Sequence, residues 1–235
     1  MFFKIFLLFF AFLLNSCFAP SNSNVRIINN NNDLFVSESV LNRALNSVVL
    51  LKIQNIELNL RKSCTGFFIS PNRIVTAYHC VVFDEEEDAV TIPVEIRYIT
   101  YHDWASGYFN YKLLQVSRTD SEKDIAILST MPGDFSLNWL QFRTSPVRIG
   151  EKVFVVSQPA YLRWIVTNGI ISQIGSIGDY RYIVSNAFVF LGSSGAPLMD
   201  YNGNVVGVAH ALAFRQGSYG IFVHYIEIIK LLRSS

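Results

Sequence analysis

Three side chains that lie far apart in the sequence could together perform nucleophilic catalysis. Ser194 lies in a segment with glycine two residues before it and directly after it, which is poor material for a regular helix or strand. A serine hydroxyl becomes a strong nucleophile only when a base takes its proton and an acid orients that base. His79 follows one apolar run and Asp124 begins another. The chain order histidine, aspartate, serine is one of three known orders for this constellation.

Each of the three residues also has an ordinary structural interpretation. A serine beside glycines commonly forms a turn, a histidine after a strand commonly has a local partner, and an aspartate before a strand commonly caps it. Taken together, however, the order, the spacing and the flanking residues of Ser194, His79 and Asp124 favour a catalytic triad.

The flanking residues resemble those of a known family. Thr76-Ala-Tyr-His-Cys80, Asp124-Ile-Ala-Ile-Leu128 and Gly192-Ser-Ser-Gly-Ala-Pro197 are similar to the histidine, aspartate and serine motifs of trypsin-like (chymotrypsin-fold) serine peptidases. Within that group they look most like the HtrA/Deg peptidases. Val166–Gly175 and Asn202–Ala211 resemble the two HtrA strands that flank the serine loop. The resemblance extends from about residue 37 to about residue 225.

The resemblance implies a serine endopeptidase that acts on protein or peptide substrates through an acyl-enzyme intermediate. His79 would act as general base, Asp124 would orient the imidazole and Ser194 would attack the substrate carbonyl. The backbone N–H groups of Gly192 and Ser194 would form the oxyanion hole. No metal or organic cofactor is expected. The alternative is a catalytically silent peptidase fold used as a binding module, although such modules usually lack a triad member and none is missing here.

The strand pattern favours a barrel or a sandwich, and the resemblance implies an all-β fold of two antiparallel six-stranded barrels. Short β-rich runs separated by turn signals fill residues 47–130, which we predict as the first barrel, and 147–224, which we predict as the second. A short helix is predicted before the first barrel, over 38–46, and a closing helix after the second, over 225–233. The peptidase domain is thus predicted to span 37–235, and no PDZ domain of the HtrA type is expected.

Two cysteines flank the histidine motif. By resemblance to trypsin-like peptidases, Cys64 and Cys80 are expected to form a disulfide that brackets the histidine strand. The alternative is a zinc site made by these cysteines and His79, which is disfavoured because neighbouring strand residues point to opposite faces.

The first residues indicate export. Lys4 precedes a short apolar run, as in a signal peptide, which we predict over residues 1–19. Leu14-Asn-Ser-Cys17 resembles a lipobox, so Cys17 is a candidate for lipidation and membrane attachment. Ordinary cleavage after Ala19 and an uncleaved anchor remain the alternatives. Residues 20–36 are polar and predict a disordered tether. We therefore expect an extracytoplasmic protein, either secreted, periplasmic or anchored as a lipoprotein.

The composition fits one functional unit and excludes one class of partner. The chain has 235 residues, of which 51% are hydrophobic, and a formal net charge of +1. Such a chain can bury a sizeable core. It carries no basic stripe for nucleic acid, which is therefore not an expected partner. The acidic run 84–88 predicts a solvated loop, with a calcium-binding or a substrate-repelling loop as the alternatives. Residues 101–110 predict a surface hairpin insertion, with a loop that borders the substrate cleft as the alternative.

Specificity is predicted from residues near the serine loop. Phe188 occupies, by resemblance, the position at the base of the primary substrate pocket where trypsin-type enzymes carry an acid, so an uncharged residue is expected at the cleaved position. His210 leaves a preference for acidic residues open, and Ala211 and Leu212 on the pocket wall suggest a shallow site. Ser193 stands where trypsin-like zymogens carry an aspartate, so activation by N-terminal cleavage is not expected.

Overall fold

The computed structural model describes residues 36–56, 59–83, 94–160, 162–213 and 219–234. Four helices lie in these ranges: α1 (Glu38–Ser47), α2 (Tyr78–Val81), α3 (Tyr101–Ala105) and α4 (Tyr225–Arg233). The strands of the first half are β1 (Val48–Asn55), β2 (Leu60–Ser70), β3 (Arg73–Thr76), β4 (Val94–Thr100), β5 (Lys112–Asp120) and β6 (Ile125–Thr130). Those of the second half are β7 (Lys152–Ser157), β8 (Ile165–Ile177), β9 (Tyr180–Ser185), β10 (Pro197–Asp200), β11 (Val205–Ala213) and β12 (Tyr219–His224).

The strands close into two barrels, as the sequence predicts. The strand order is β1-β2-β3-β6-β5-β4 in the first barrel and β10-β11-β12-β9-β8-β7 in the second, and every pairing within them is antiparallel. Closure leaves no free sheet edge in either half. The strands of the first barrel lie between Val48 and Thr130, those of the second lie between Lys152 and His224, and the predicted N-terminal and C-terminal helices are both present.

Strand β1 shows how the two barrels pack together. Its successive side chains point to opposite faces, as in any strand. Val49, Leu51 and Ile53 belong to the interior of the first barrel. Val48 and Leu50 belong instead to a cluster that contains the core of the second barrel. Both faces of β1 are therefore buried, one inside its own barrel and the other between the barrels.

Residues 101–105 form helix α3 and not the predicted surface hairpin insertion. The Thr100 hydroxyl caps α3 by accepting a hydrogen bond from the Asp103 amide at 3.2 Å. Tyr101 and Trp104 then pack against Trp164, at ring-centroid distances of 5.6 and 5.2 Å. The aromatic side chains that suggest an exposed loop in the sequence thus contact the second half of the chain.

The connection between the barrels follows the surface of both. The Leu140 amide donates to the Phe68 carbonyl at 2.9 Å in the first barrel, and the Arg143 amide donates to the Val205 carbonyl at 3.0 Å in the second. Arg143 also forms a bidentate ion pair with Glu151 at 2.6 and 3.1 Å. These bonds fix the connection to each barrel at several points.

Some predictions lie wholly or partly outside the described residues. The signal peptide, Cys17 and nearly all of the tether fall within 1–35, and the acidic run falls within 84–93. Val36, the last residue of the predicted tether, is buried against the core. In the part of the chain that the structure describes, we find no helix with the length and apolar character needed to span a membrane.

Candidate active site

His79 lies on the single-turn helix α2, which β2 and β6 hold in place. The disulfide between Cys64 and Cys80 ties α2 to β2, so this prediction is confirmed and the zinc alternative, which needs both thiolates free, is wrong. The Lys62 ammonium donates to the carbonyls of His79, at 3.0 Å, and of Val82. The covalent bridge and these hydrogen bonds fix both ends of the short helix.

Asp124 receives three hydrogen bonds just before β6. Its Oδ1 accepts from the His79 backbone N–H at 2.7 Å, and its Oδ2 lies 2.8 Å from His79 Nδ1 and 2.6 Å from His210 Nδ1. The backbone of Asp124 is in the left-handed region, with φ of 53°, a conformation that aspartate tolerates better than most residues. Both carboxylate oxygens are therefore directed at the histidines.

The electrostatics of Asp124 favour the ionised carboxylate. Burial alone would raise the pKa of Asp124, but the hydrogen bonds donated by His210 and His79 outweigh it and lower the pKa to about 2. The carboxylate is thus charged at neutral pH, and each imidazole must present its Nδ1 as an N–H donor towards it. The Nε2 of a neutral His79 is then an acceptor.

Ser194 lies in a loop that depends on two glycines. Gly192 has φ of 94° and Gly195 has φ of 83°, in the region that favours glycine. A Cβ at Gly192 would lie 2.5 Å from the Gln158 carbonyl oxygen, and a Cβ at Gly195 would lie 2.2 Å from the Thr65 carbonyl oxygen. A side chain at either position would be strained by the backbone conformation and would come too close to these carbonyl oxygens.

Hydrogen bonds orient the two peptide groups on either side of Gly192. The Leu191 carbonyl accepts from the Ala160 amide at 2.6 Å, and the Gly192 carbonyl accepts from the Thr65 hydroxyl at 2.8 Å. Because the N–H and C=O of a trans peptide point in opposite directions, the first bond turns the Gly192 N–H away from Ala160. Within the described residues, neither the Gly192 nor the Ser194 amide donates a hydrogen bond to a protein acceptor.

Ser193 is buried beneath this loop. Its hydroxyl accepts from the Phe190 amide and donates to the Ser157 hydroxyl, both at 3.1 Å. Its own amide donates to the Phe190 carbonyl at 2.8 Å. Ser193 therefore holds the loop to the second barrel through neutral hydrogen bonds.

One cavity of about 290 Å³ is lined by three of the predicted site residues, His79, Ser194 and His210. The other described residues of its lining are Val189, Phe190, Leu191, Ser193 and Ala209. Phe188 is not in this set: it is 46% exposed and stacks on Phe190, whereas Val189 is only 6% exposed. Ala211 and Leu212 lie on β11, opposite Ile221 and Gly220.

His210 contacts a different group from the one that its sequence position suggests. It is predicted as a residue of the substrate pocket, and it does border the cavity, but its Nδ1 is bound to Asp124. The pairing of β11 with β12 shifts register between Ala209 and Ala211, so His210 lies in a β-bulge. The simple alternation of a strand cannot predict the direction of a side chain at such a position.

The side chains that surround Asp124 Oδ2 are also of the types that can bind a metal ion. Among the described residues, His79, Asp124 and His210 form the one group of three such side chains whose ligand atoms lie within 4.8 Å of one another. The two Nδ1–Oδ2 distances, 2.8 and 2.6 Å, are hydrogen-bond distances. Two ligands on one tetrahedral zinc ion are separated by about 3.3 Å, given bonds of about 2.0 to 2.1 Å. The cluster as it stands therefore fits protons better than a metal ion.

A family model for the trypsin-like peptidase domain matches residues 64–208, which contain His79, Asp124 and Ser194. The chain belongs to this family. The resemblance to trypsin-like and HtrA/Deg peptidases is thereby confirmed.

Two curated relatives and one solved structure illustrate the similarity. A probable periplasmic serine endoprotease, DegP-like, from Chlamydia trachomatis is 31% identical over 161 residues, covering 66% of this chain and 29% of the relative. Serine protease HTRA4 from Mus musculus is 26% identical over 154 residues, covering 62% of this chain and 29% of the relative. The chain thus matches less than a third of either relative's length. The Rv3671c protease from M. tuberculosis, in its active form, shares the fold, with a TM-score of 0.69, 24% identity and 82% of each chain covered.

Proposed function

We propose that the chain is a serine endopeptidase that hydrolyses peptide bonds in proteins or peptides. The observation that carries the proposal is the hydrogen bond between His79 Nδ1 and Asp124 Oδ2, at 2.8 Å, with His79 and Ser194 lining the same cavity. An oriented imidazole beside a serine hydroxyl is what activation of that hydroxyl requires. The relatives named as serine endoproteases support the same reaction class.

In the first half of the reaction, Ser194 Oγ attacks the substrate carbonyl carbon and gives its proton to His79 Nε2. The new C–O bond converts the carbonyl oxygen into an oxyanion. His79 then returns the proton to the leaving amine as the C–N bond breaks, which leaves an acyl-enzyme. A water molecule repeats the sequence on the ester bond and releases the acid product.

Asp124 and the serine loop stabilise the charges that develop. Asp124 holds the imidazole in the Nδ1–H tautomer and offsets the positive charge on His79 in the transition state. The amides of Gly192 and Ser194 form the oxyanion hole, an assignment supported by their lack of acceptors among the described residues. Preorganised donors of this kind stabilise the transition state without reorganisation.

The primary pocket is proposed to accept an uncharged, apolar side chain. Val189, Phe190, Leu191 and Ala209 supply apolar side chains to the lining of the cavity. Among the described residues, no acid lines this cavity, so cleavage after Lys or Arg is not favoured. His210 donates to Asp124 from Nδ1, which reduces its capacity to bind an acidic side chain. We assign Val189, which lines the cavity, to the position in the pocket that the sequence suggests for Phe188.

Export and membrane attachment extend this proposal. The signal peptide over 1–19 and the relatives named as periplasmic support an extracytoplasmic location. Lipidation of Cys17 would attach the mature chain to a membrane. Expression with an alkyne-tagged fatty acid tests this: wild type should incorporate the tag and Cys17→Ser should not, whereas equal incorporation would contradict attachment through Cys17.

Hydrolysis of fluorescein-labelled casein tests the proposed activity. Wild type should release fluorescent peptides, and Ser194→Ala should lose on the order of 10⁴-fold or more in rate, because no other group replaces the nucleophile. Ser39→Ala, an exposed serine on α1, is the matched control and should retain the wild-type rate. Equal rates for wild type and Ser194→Ala would contradict the proposal and leave the binding-module interpretation.

A further inference from the structure

His210 reaches the site from the second barrel because of the bulge in β11. Ala209 pairs with Phe222 and Ala211 pairs with Ile221, so His210 is the extra residue between two consecutive partners on β12. A bulge redirects the side chain of the extra residue relative to a regular strand. Here the imidazole is directed across the cleft to Asp124, which belongs to the first barrel.

Both imidazoles bind the same carboxylate oxygen. Asp124 Oδ2 lies 2.6 Å from His210 Nδ1 and 2.8 Å from His79 Nδ1, and the two ring centroids are 6.4 Å apart. A carboxylate oxygen has two lone pairs, so each histidine can occupy one of them. His210 therefore does not displace His79 from Asp124, and it takes the position that a water molecule or a competing donor could otherwise occupy.

We infer that His210 is a positioning residue of the catalytic site: it fixes the Asp124 carboxylate, from the opposite barrel, in the orientation that receives the His79 imidazole. This inference rests on the proposed function, since it assigns a task within the same reaction. His210 acts through Asp124 and does not touch the reacting bond.

Two features make this task specific to His210. The carboxylate projects from a residue with a left-handed backbone in the first barrel, and its Oδ1 is already bound to the His79 amide. Rotation of the carboxylate about the Cβ–Cγ bond of Asp124 is then restrained by the hydrogen bonds of the two histidines to Oδ2. The bond from His210 is the shorter of the two. The bond also joins the barrels at the cleft, so it keeps the acid at a fixed distance from the half of the chain that carries Ser194.

Inactivation by a fluorophosphonate probe tests the inference, because its kinetics separate the chemical step (kinact) from binding (KI). His210→Ala removes the donor and should lower kinact by more than about fivefold with little change in KI, as expected for a lost hydrogen bond to a charged group. His210→Asn places an amide N–H near the position of Nδ1 and should recover most of the lost rate. His102→Ala, an exposed histidine on α3, is the control and should match wild type.

Three outcomes would overturn the inference: a loss below about fivefold in His210→Ala, an equal loss in His210→Asn, or a loss that appears only in KI. Thermal unfolding of each variant shows whether a lost rate reflects a lost fold. An equal loss in the two variants with unchanged unfolding would assign His210 a role that does not depend on its N–H donor.

A second measurement does not depend on activity. In the Ser194→Ala background, ¹⁵N-histidine NMR should show two strongly hydrogen-bonded Nδ1–H protons, one from each imidazole. His210→Asn should remove one of them, and His210→Ala should also shift or broaden the His79 signal. An unchanged His79 signal in His210→Ala would overturn the inference even if the proposed peptidase activity were absent, so the two failures are distinguishable.

Discussion

The two barrels hold their parts of the active site by different means. The first barrel fixes His79 and Asp124 through side chains: a disulfide anchors α2, and the carboxylate accepts both the backbone and the ring N–H of His79. The second barrel fixes Ser194 through its backbone, with glycines at φ of 94° and 83° and carbonyls bound to neighbouring groups. The part of the site in the first barrel should thus be sensitive to the chemistry of its side chains. The part in the second barrel should be sensitive to any side chain added at Gly192 or Gly195.

Two side chains form hydrogen bonds between these unlike halves at the cleft, beside the backbone bond from the Thr65 amide to the Ser194 carbonyl at 2.9 Å. The Thr65 hydroxyl, on β2, donates to the Gly192 carbonyl and accepts from the Gln158 amide at 3.1 Å. His210, on β11 of the second barrel, donates in turn to the Asp124 carboxylate of the first barrel. Each barrel thereby contributes one side chain that orients the other barrel's part of the site.

The largest effect is expected at the acid of the first barrel. Asp124→Asn should lower the rate of casein hydrolysis by about 10³- to 10⁴-fold, because the amide NH₂ cannot accept from His79 and favours the wrong imidazole tautomer. The matched control is Asp120→Asn, at the end of β5. It removes an ion pair with Lys123, whose N···O distance is 2.7 Å, and neither residue lines the cavity. A rate within tenfold of wild type in Asp124→Asn would contradict the claim that the part of the site in the first barrel depends on the chemistry of its side chains.

A smaller effect is expected at the backbone of the second barrel. Gly192→Ala should lower the rate by about 10²- to 10³-fold, the loss typical of one oxyanion-hole donor. The control is Gly133→Ala in the connection, where φ is 91° but a Cβ would meet no atom within 4 Å. It carries the same conformational penalty without the contact with Gln158. Equal rates in the two alanine variants would show that loop conformation at Gly192 is not what sustains activity.

The contribution of the disulfide to stability tests whether the first barrel depends on the bridge that anchors α2. Replacing Cys64 and Cys80 together by alanine should lower the free energy of unfolding by about 3 kcal/mol, the loop-closure value for a loop of this size. Urea unfolding at neutral pH measures it, and reductant should destabilise wild type but not the variant. A change below about 1 kcal/mol, or an equal effect of reductant on both proteins, would show that α2 does not depend on the bridge.

The smallest effect concerns a buried histidine away from the site. Burial, with Arg181 nearby, lowers the pKa of His224 from its usual value to about 4. Between about pH 6.5 and pH 4 the unfolded chain therefore binds a proton that the folded chain does not, and stability should fall by about 2 kcal/mol as the pH decreases through this range.

His224→Asn isolates this dependence. His224 caps α4 by accepting from the Ile226 amide at 3.2 Å, and asparagine can make the same bond without titrating. Urea unfolding at pH 7 and pH 4.5 should show a smaller difference for the variant than for wild type. An equal difference would assign the acid sensitivity to other groups.

The sequence predicts the architecture and the triad because both depend on local patterns. Alternating apolar residues and turn signals mark the strands, and closure into barrels follows from the family resemblance. His79, Asp124 and Ser194 each lie in a short motif whose flanking residues can be compared directly. Their meeting at one cleft, however, depends on the register of twelve strands.

What the sequence misses depends on tertiary contacts. Helix α3 forms where Tyr101 and Trp104 meet Trp164, more than fifty residues away. Val189, and not Phe188, is among the described residues that line the cavity, and both precede the serine loop outside any strand, where strand alternation does not apply. The partnership of His210 with Asp124 requires a bulge, and the residues of β11 carry no signal for its position. For α3 and for His210, the direction of the side chains is set by atoms distant in the sequence.

Mapping the site of a fluorophosphonate adduct tests the central claim, that three distant side chains form one nucleophilic centre. Wild type and His79→Ala are treated with the probe, digested and analysed by tandem mass spectrometry. The account predicts a single adduct on Ser194 Oγ in wild type and almost none in His79→Ala, since the hydroxyl then lacks its base. An adduct on another residue, or equal labelling of Ser194 in both proteins, would contradict it.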